Sequence, residues 1–247
     1  MATWTWFHKL ASPPYLYRTA GRLLPWLAIP AVVLTLVGAY GGLLRAPPDY
    51  QQGEAFRIIY VHVPSAWLSL MAYTIMASAA AVGLIWRMKL AHALAAATAP
   101  IGASFALLCL ATGSLWGRPM WGTWWVWDAR LTSQLILFFL YLGYMALHSA
   151  YDDLQRADRA SGLLAVVGVV NVPIIHFSVY WWNTLHQGST VLRAGGPAMP
   201  PSMLVPLLLS FAGYTFAYAA LACVRLRAEV LIRERNATWL QELGRGG

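Results

Sequence analysis

Charge is what this sequence has least of. Only 11% of its 247 residues are Asp, Glu, Lys or Arg, against about 25% in a typical soluble domain, while 59% are apolar. A chain so poor in charge cannot cover itself with polar surface, which excludes an ordinary water-soluble globular protein. Cysteine is equally scarce. Cys109 and Cys223 both lie inside apolar stretches and in no CxxC or metal-ligand spacing. Their placement indicates neither a disulfide framework nor thiol redox chemistry, and they are expected as small buried residues. The only lysines are Lys9 and Lys89, and neither follows a GxxxxG run. No phosphate loop is present, no water-soluble domain fits between the apolar stretches, and any ATP dependence belongs to a partner. Internal repeats and low-complexity tracts are also missing.

What the chain does have is six long uncharged stretches, bounded by Arg22 and Arg45, Arg57 and Arg87, Lys89 and Arg118, Arg130 and Asp152, Arg159 and Arg193, and Arg193 and Arg225. Each can hold the roughly 20 apolar residues that cross a hydrocarbon core. The expected fold is an all-α polytopic membrane protein with six transmembrane helices, near Leu23–Leu44, Pro64–Trp86, Ala93–Leu115, Leu131–Ala150, Gly162–Trp182 and Met203–Val224. The first span exceeds the 7–15 residue apolar region of a secretory signal and reads as an uncleaved anchor. Residues 1–22 form an N-terminal segment, 23–224 the membrane domain, and 225–247 a charged tail expected as one partly amphipathic helix.

The net charge of +8 sits in short segments between spans, so it reports membrane orientation and not nucleic acid. Six spans put both termini on one side, and that side carries twelve of the 17 basic residues against Arg45, Arg57, Arg118, Arg130 and Arg193 opposite. The positive-inside rule places the richer side, with both ends, in the cytoplasm. Whichever way the protein points, the connections after spans one, three and five share a face, which brings His62, Trp116–Asp128 and His186 to one end.

Five of the 13 tryptophans, Trp116, Trp121, Trp124, Trp125 and Trp127, fall within that third connection. An aromatic belt at the membrane boundary needs one or two indoles per helix end, not a run. If the stretch is helical, Trp121, Trp124, Trp125 and Asp128 share one face and form a shelf suited to a broad planar apolar ligand. Of the six histidines, His8, His92 and His148 belong to the opposite side, where contact with water or headgroups is expected. His62, just ahead of Pro64, is expected at the mouth of span two, with Pro64 in its first turn, and His186 lies just beyond span five. A pair of neutral imidazoles on one face can supply both axial ligands of a haem iron; the alternative is two unrelated polar residues. His176 and Asn171 lie inside span five near Pro173, with His176 about 15 Å below His186. Helix-to-helix hydrogen bonding is expected of His176, with Pro173 loosening the backbone, or else a relay or access route. The outward arginines suit carboxylates or simple interfacial snorkelling. Arg118 and Arg130 flank the tryptophans, and Arg130 can also pair with Asp128, which would then position the loop.

The segment WGRPMWGTWWVWDARLTS, Trp116 to Ser133, resembles the tryptophan-rich WWD motif of haem-handling membrane proteins, and its DARLTS continuation resembles the haem exporter protein C family (CcmC) of cytochrome c maturation. DYQQGEAFRIIYVHVPSAW, Asp49 to Trp67, and WWNTLHQGST, Trp181 to Thr190, agree with it, and the likeness covers the six-span core. Related WWD assembly proteins are generally larger and continue differently after WD. The resemblance implies haem b held at the periplasmic face of the bacterial inner membrane, with His62 and His186 as axial ligands against the loop formed by residues 116–133. It implies as partners ABC ATPase and membrane subunits, a small single-span accessory subunit and a periplasmic haem chaperone that receives the haem. On this reading the tryptophans and Asp128 line the haem, Arg118 and Arg130 meet its propionates, and the chain is a haem-transfer subunit rather than an enzyme. A haem-dependent quinol oxidoreductase subunit and a docking subunit without haem are the rival readings.

Overall fold

A computed structural model describes residues 12–186, 191 and 195–245. Six of its helical stretches are long and apolar enough to cross a membrane, and no β-strand occurs among the described residues. Helix α1, Pro13–Ala39, begins with Pro13 and Pro14 in its first turn, where a missing N–H costs nothing. It runs into a wider turn, Tyr40–Arg45. The Arg57 guanidinium donates to the Leu43 carbonyl there (2.9 Å), a cation placed on a helix C-terminus. A short 3₁₀ turn, Glu54–Ile58, feeds α2, Ile59–Trp86. Pro64 is therefore inside a helix that starts earlier than expected, and His62 rides on its first turn instead of preceding it. Helix α3, Lys89–Trp121, stops at Gly122, whose φ of 75° belongs to the left-handed region that glycine adopts without strain. Helix α4, Ala129–Ser149, starts from Asp128.

The fifth span is broken into α5, Leu154–Gly168, and α6, Asn171–Trp181. Pro173 has no N–H to give the Val169 carbonyl, and the helix opens there. Asn171 lies at the break and donates to the Ser133 carbonyl of α4 (2.9 Å), whereas His176, of which such a bond is expected, is exposed and packs edge-on against Phe177 (4.8 Å) with no hydrogen-bond partner among the described residues. Helix α7 runs unbroken from Pro201 to Arg233, and a separate helix α8, Thr238–Arg245, follows. The tail after Val224 is thus not one helix, because its first part prolongs the sixth span. Trp239 of α8 packs back on Tyr17 (centroids 5.8 Å).

Helix α2 lies between α3 and α5, and α1 packs chiefly on α7. Contact is close because small residues line it. Ala95, Ala99, Ala103 and Ala106 of α3 meet Tyr73, Met76, Leu137 and Tyr141 in one buried cluster. Gly102 lies directly beneath the Tyr141 ring, and the Tyr141 hydroxyl donates to the Ser69 carbonyl (2.7 Å). Lipid gives no hydrophobic drive to helix association, so close approach and interhelical hydrogen bonds carry it. At the end away from the tryptophan connection, Asp158 takes a two-pronged bond from Arg233 (2.6 and 2.8 Å) and a third contact from His148 (3.2 Å). His148 also stacks on Tyr144, and the His92 ring lies against Gly83. These two histidines pack within the protein, not against water or headgroups as expected; His8 lies outside the described residues.

Gly102→Leu drives a side chain into the Tyr141 phenol and is expected to destabilise the bundle by about 1–3 kcal/mol or more. A lowered thermal midpoint of the detergent-solubilised protein checks it, with Gly143→Leu, set against a flexible leucine side chain, expected to fall less.

Candidate functional site

Three segments distant in sequence meet at one end of the bundle: the start of α2, the connection from α3 to α4, and the residues after α6. His62 projects from α2 onto α3, where its Nδ1 lies 2.9 Å from the Thr112 hydroxyl oxygen. Thr112 gives its own proton to the Leu108 carbonyl (2.6 Å), so toward His62 it offers only a lone pair. Nδ1–H therefore donates, and Nε2 keeps its lone pair free. Gly113 leaves the room this ring needs, since a Cβ there would stand 3.0 Å from Cε1. Trp116 closes the other side, edge-on to His62 (5.6 Å) and Phe56 (6.1 Å), with its indole N–H bonded to Gln52 (3.0 Å).

His186 is held by a different device. Asp128 is the N-cap of α4 and accepts the Leu131 amide at one carboxylate oxygen (2.7 Å). Its other oxygen accepts the Thr184 hydroxyl and faces His186 Nδ1 at 3.5 Å, while the His186 amide donates to Thr184 Oγ1 (3.1 Å). The Trp121 indole stands 5.0 Å from the His186 ring. One carboxylate thus starts a helix and anchors the histidine segment. Burial alone would raise the Asp128 carboxyl, but the His186 ring facing it and the hydrogen bonds from Thr184 and Leu131 outweigh it and hold it at about 2. The two halves meet on the last turns of α3, where Trp116 lies against His62 and Trp121 against His186.

Between Gly122 and Asp128 the chain is not helical, so Trp121, Trp124, Trp125 and Asp128 do not share the helical face expected of them. The left-handed Gly122 ends one helix and the Asp128 cap begins the next, and Ser114 ties the intervening loop back to α3 through the Trp124 carbonyl (2.7 Å). Trp116 and Trp121, on the last turns of α3, are the indoles that meet the histidines. Trp125 packs edge-on against Trp127 (5.4 Å), and its Nε1 is buried without an acceptor among the described residues. Trp124 and Trp127 are 53% and 75% exposed. Arg118 lies over Trp124 (5.9 Å) and donates to the Gly122 carbonyl. Arg130 turns to the Ile175 carbonyl of α6 (3.4 Å) instead of pairing with Asp128. Arg57 is taken up by Leu43 and Glu54, Arg45 is exposed, and Arg193 lies outside the described residues.

Thr112, Gly113, Thr184 and Gln52 complete the site and were not singled out in the sequence. Thr112 and Gly113 sit one turn ahead of Trp116, and Thr184 two residues ahead of His186, so proximity to the motifs was the available signal.

The profile of the heme exporter protein C family matches residues 6–241. The chain belongs to that family. It is 52% identical over 240 residues to the heme exporter protein C of Escherichia coli K12, covering 97% of each chain. The proteins of the same name from Haemophilus influenzae and Bradyrhizobium diazoefficiens are 51% and 49% identical, over 97% and 96% of this chain and 98% and 89% of theirs. In this member of the heme exporter C family the WWD aspartate is a cap and a clasp before it is anything else.

That clasp sets a pH dependence. The folded Asp128 carboxyl, at about 2, lies below its unfolded value of about 3.9. Its contribution is complete above roughly pH 4 and is lost as pH falls toward about 2. Tryptophan emission is expected to hold steady from pH 8 to 5 and to shift below pH 4, and Asp128→Asn is expected to remove that shift. Thr184→Val should weaken the clasp without touching the α4 cap, and increased proteolysis after Trp182 with an unchanged α4 in hydrogen exchange checks it.

Proposed function

We propose that this chain binds haem b at the periplasmic face of the bacterial inner membrane and passes it to a periplasmic haem chaperone for cytochrome c maturation. The observation that carries this reading is the matched presentation of two imidazoles beside the tryptophan loop. His62 is turned by Thr112 and His186 faces Asp128, each through Nδ1, which leaves both Nε2 atoms as ligands. Metal-binding histidines are oriented in this way, the second nitrogen being engaged by a carboxylate or other acceptor. The names of the relatives, heme exporter protein C, point to the same cargo.

The other residues fit a porphyrin. Trp116 and Trp121 flank the imidazoles and offer flat apolar surface, and the unsatisfied Trp125 N–H suits a propionate oxygen. Arg130, in the first turn of α4 beside the capping Asp128, suits the other propionate, and Arg118, exposed on the last turn of α3, suits a propionate edge or an incoming partner. Bis-histidine ligation saturates the iron and limits oxygen chemistry. The chain acts as a transfer subunit within an ABC-type assembly whose ATPase, membrane and small single-span subunits supply what it lacks. Its termini face the cytoplasm, following the excess of basic residues at that end.

Purified protein is expected to carry haem with a low-spin spectrum, and His62→Ala with His186→Ala to lose it along with handover to the chaperone. Unchanged haem content with weakened chaperone association would instead establish a docking subunit.

A further inference from the structure

The partners of the two histidines are chemically unequal, and the inequality has a direction. His62 donates to Thr112, a neutral hydroxyl that is itself buried and whose proton is committed to Leu108. His186 faces Asp128, a carboxylate fixed by the Thr184 hydroxyl and the Leu131 amide. A carboxylate draws the Nδ1 proton toward itself and makes the opposite nitrogen more basic, whereas a neutral oxygen does so weakly. The two also belong to different parts of the molecule. His62 is part of α2, which is packed among α3 and α5, while His186 lies past the end of α6 on a non-helical stretch joined to the tryptophan loop through Asp128 and Thr184. A porphyrin held by both would have one ligand in the bundle and one in the loop assembly.

We propose that the iron is held asymmetrically, that His62 is the weaker ligand released first at handover, and that Thr112 is the positioning residue that sets its strength. This rests on the bis-histidine reading above. In the step, the Fe–Nε2 bond to His62 breaks with the electron pair staying on the imidazole nitrogen. The vacated position accepts an electron pair from a donor side chain of the receiving protein. Iron keeps its oxidation state and no proton moves, because the Nδ1 proton stays on His62, donated to the Thr112 hydroxyl oxygen. His186 and Trp121 keep the ring oriented until the new bond forms.

The test uses the full-length haem-loaded protein in detergent. His62→Ala is expected to retain at least half the haem as a five-coordinate species, and His186→Ala to retain severalfold less. Carbon monoxide binding to the ferrous protein requires loss of one axial ligand. Its rate is expected to rise about tenfold in Thr112→Val and Thr112→Ala, the scale on which orienting partners act, and to return to the wild-type value in Thr112→Ser, a pattern that a merely structural threonine would not give. Equal haem loss in the two histidine variants, the reverse order, or an unaltered rate in both Thr112 variants overturns the asymmetry. If neither histidine variant alters the haem spectrum, the ligand assignment itself fails.

Discussion

A single carboxylate holds the functional end of this molecule together. Asp128 begins α4 by capping it, and with its other oxygen it gathers Thr184 and faces His186. Apart from the contact of Trp121 with His186, that joint is what ties the tryptophan connection to the segment after α6, since the chain between Gly122 and Asp128 makes no regular backbone bonds of its own. The joint is strong because it is charged and partly withdrawn from water, where hydrogen bonds to an ion are about twice as strong as neutral ones. The second iron-ligand candidate needs no such joint. His62 inherits its position from a helix, and one hydroxyl is enough to set its ring.

The scarcity of charge that defines the sequence gives each buried ion a task. Asp128 organises the tryptophan end, and Asp158, with Arg233 and His148, ties α4, α5 and α7 at the other. A buried pair of this kind is costly to desolvate and is retained where it fixes an arrangement. Between these two polar ends the bundle relies on small residues and a few hydroxyl and amide bonds, among them Gln134 to Ser69 (3.0 Å) and Tyr141 to the Ser69 backbone. The result is a scaffold closely packed around α2 and α3, the helices that carry His62 and its partner.

Much of this was legible in the chain. Charge spacing located six spans because burying an unpaired ion in lipid is expensive enough to leave an imprint on every one of them. Parity then brought His62, the tryptophans and His186 to one end, and the contacts of Trp116 with His62 and Trp121 with His186 agree. Helix ends were less legible. Glu54, Arg57, Arg118 and Arg227 lie within helical stretches that the charge boundaries had cut short, because a helix continues past the membrane wherever neighbouring helices or snorkelling side chains support it. The helical shelf failed for a different reason. Its spacing was right, but Gly122 and the Asp128 cap act on the backbone locally and override periodicity. Roles that depend on a partner across the fold, such as Arg130 on the Ile175 carbonyl or Thr112 under His62, leave no trace in a single sequence.

The central claim is that His62 and His186 bind one iron through their Nε2 atoms. Electron spin echo spectroscopy of the ferric haem-loaded protein, with histidine labelled with nitrogen-15 at Nε2, reads it directly. Low-spin iron with two labelled nitrogens in its first shell is the expected result; a high-spin signal, or coupling to a single labelled nitrogen, would contradict it.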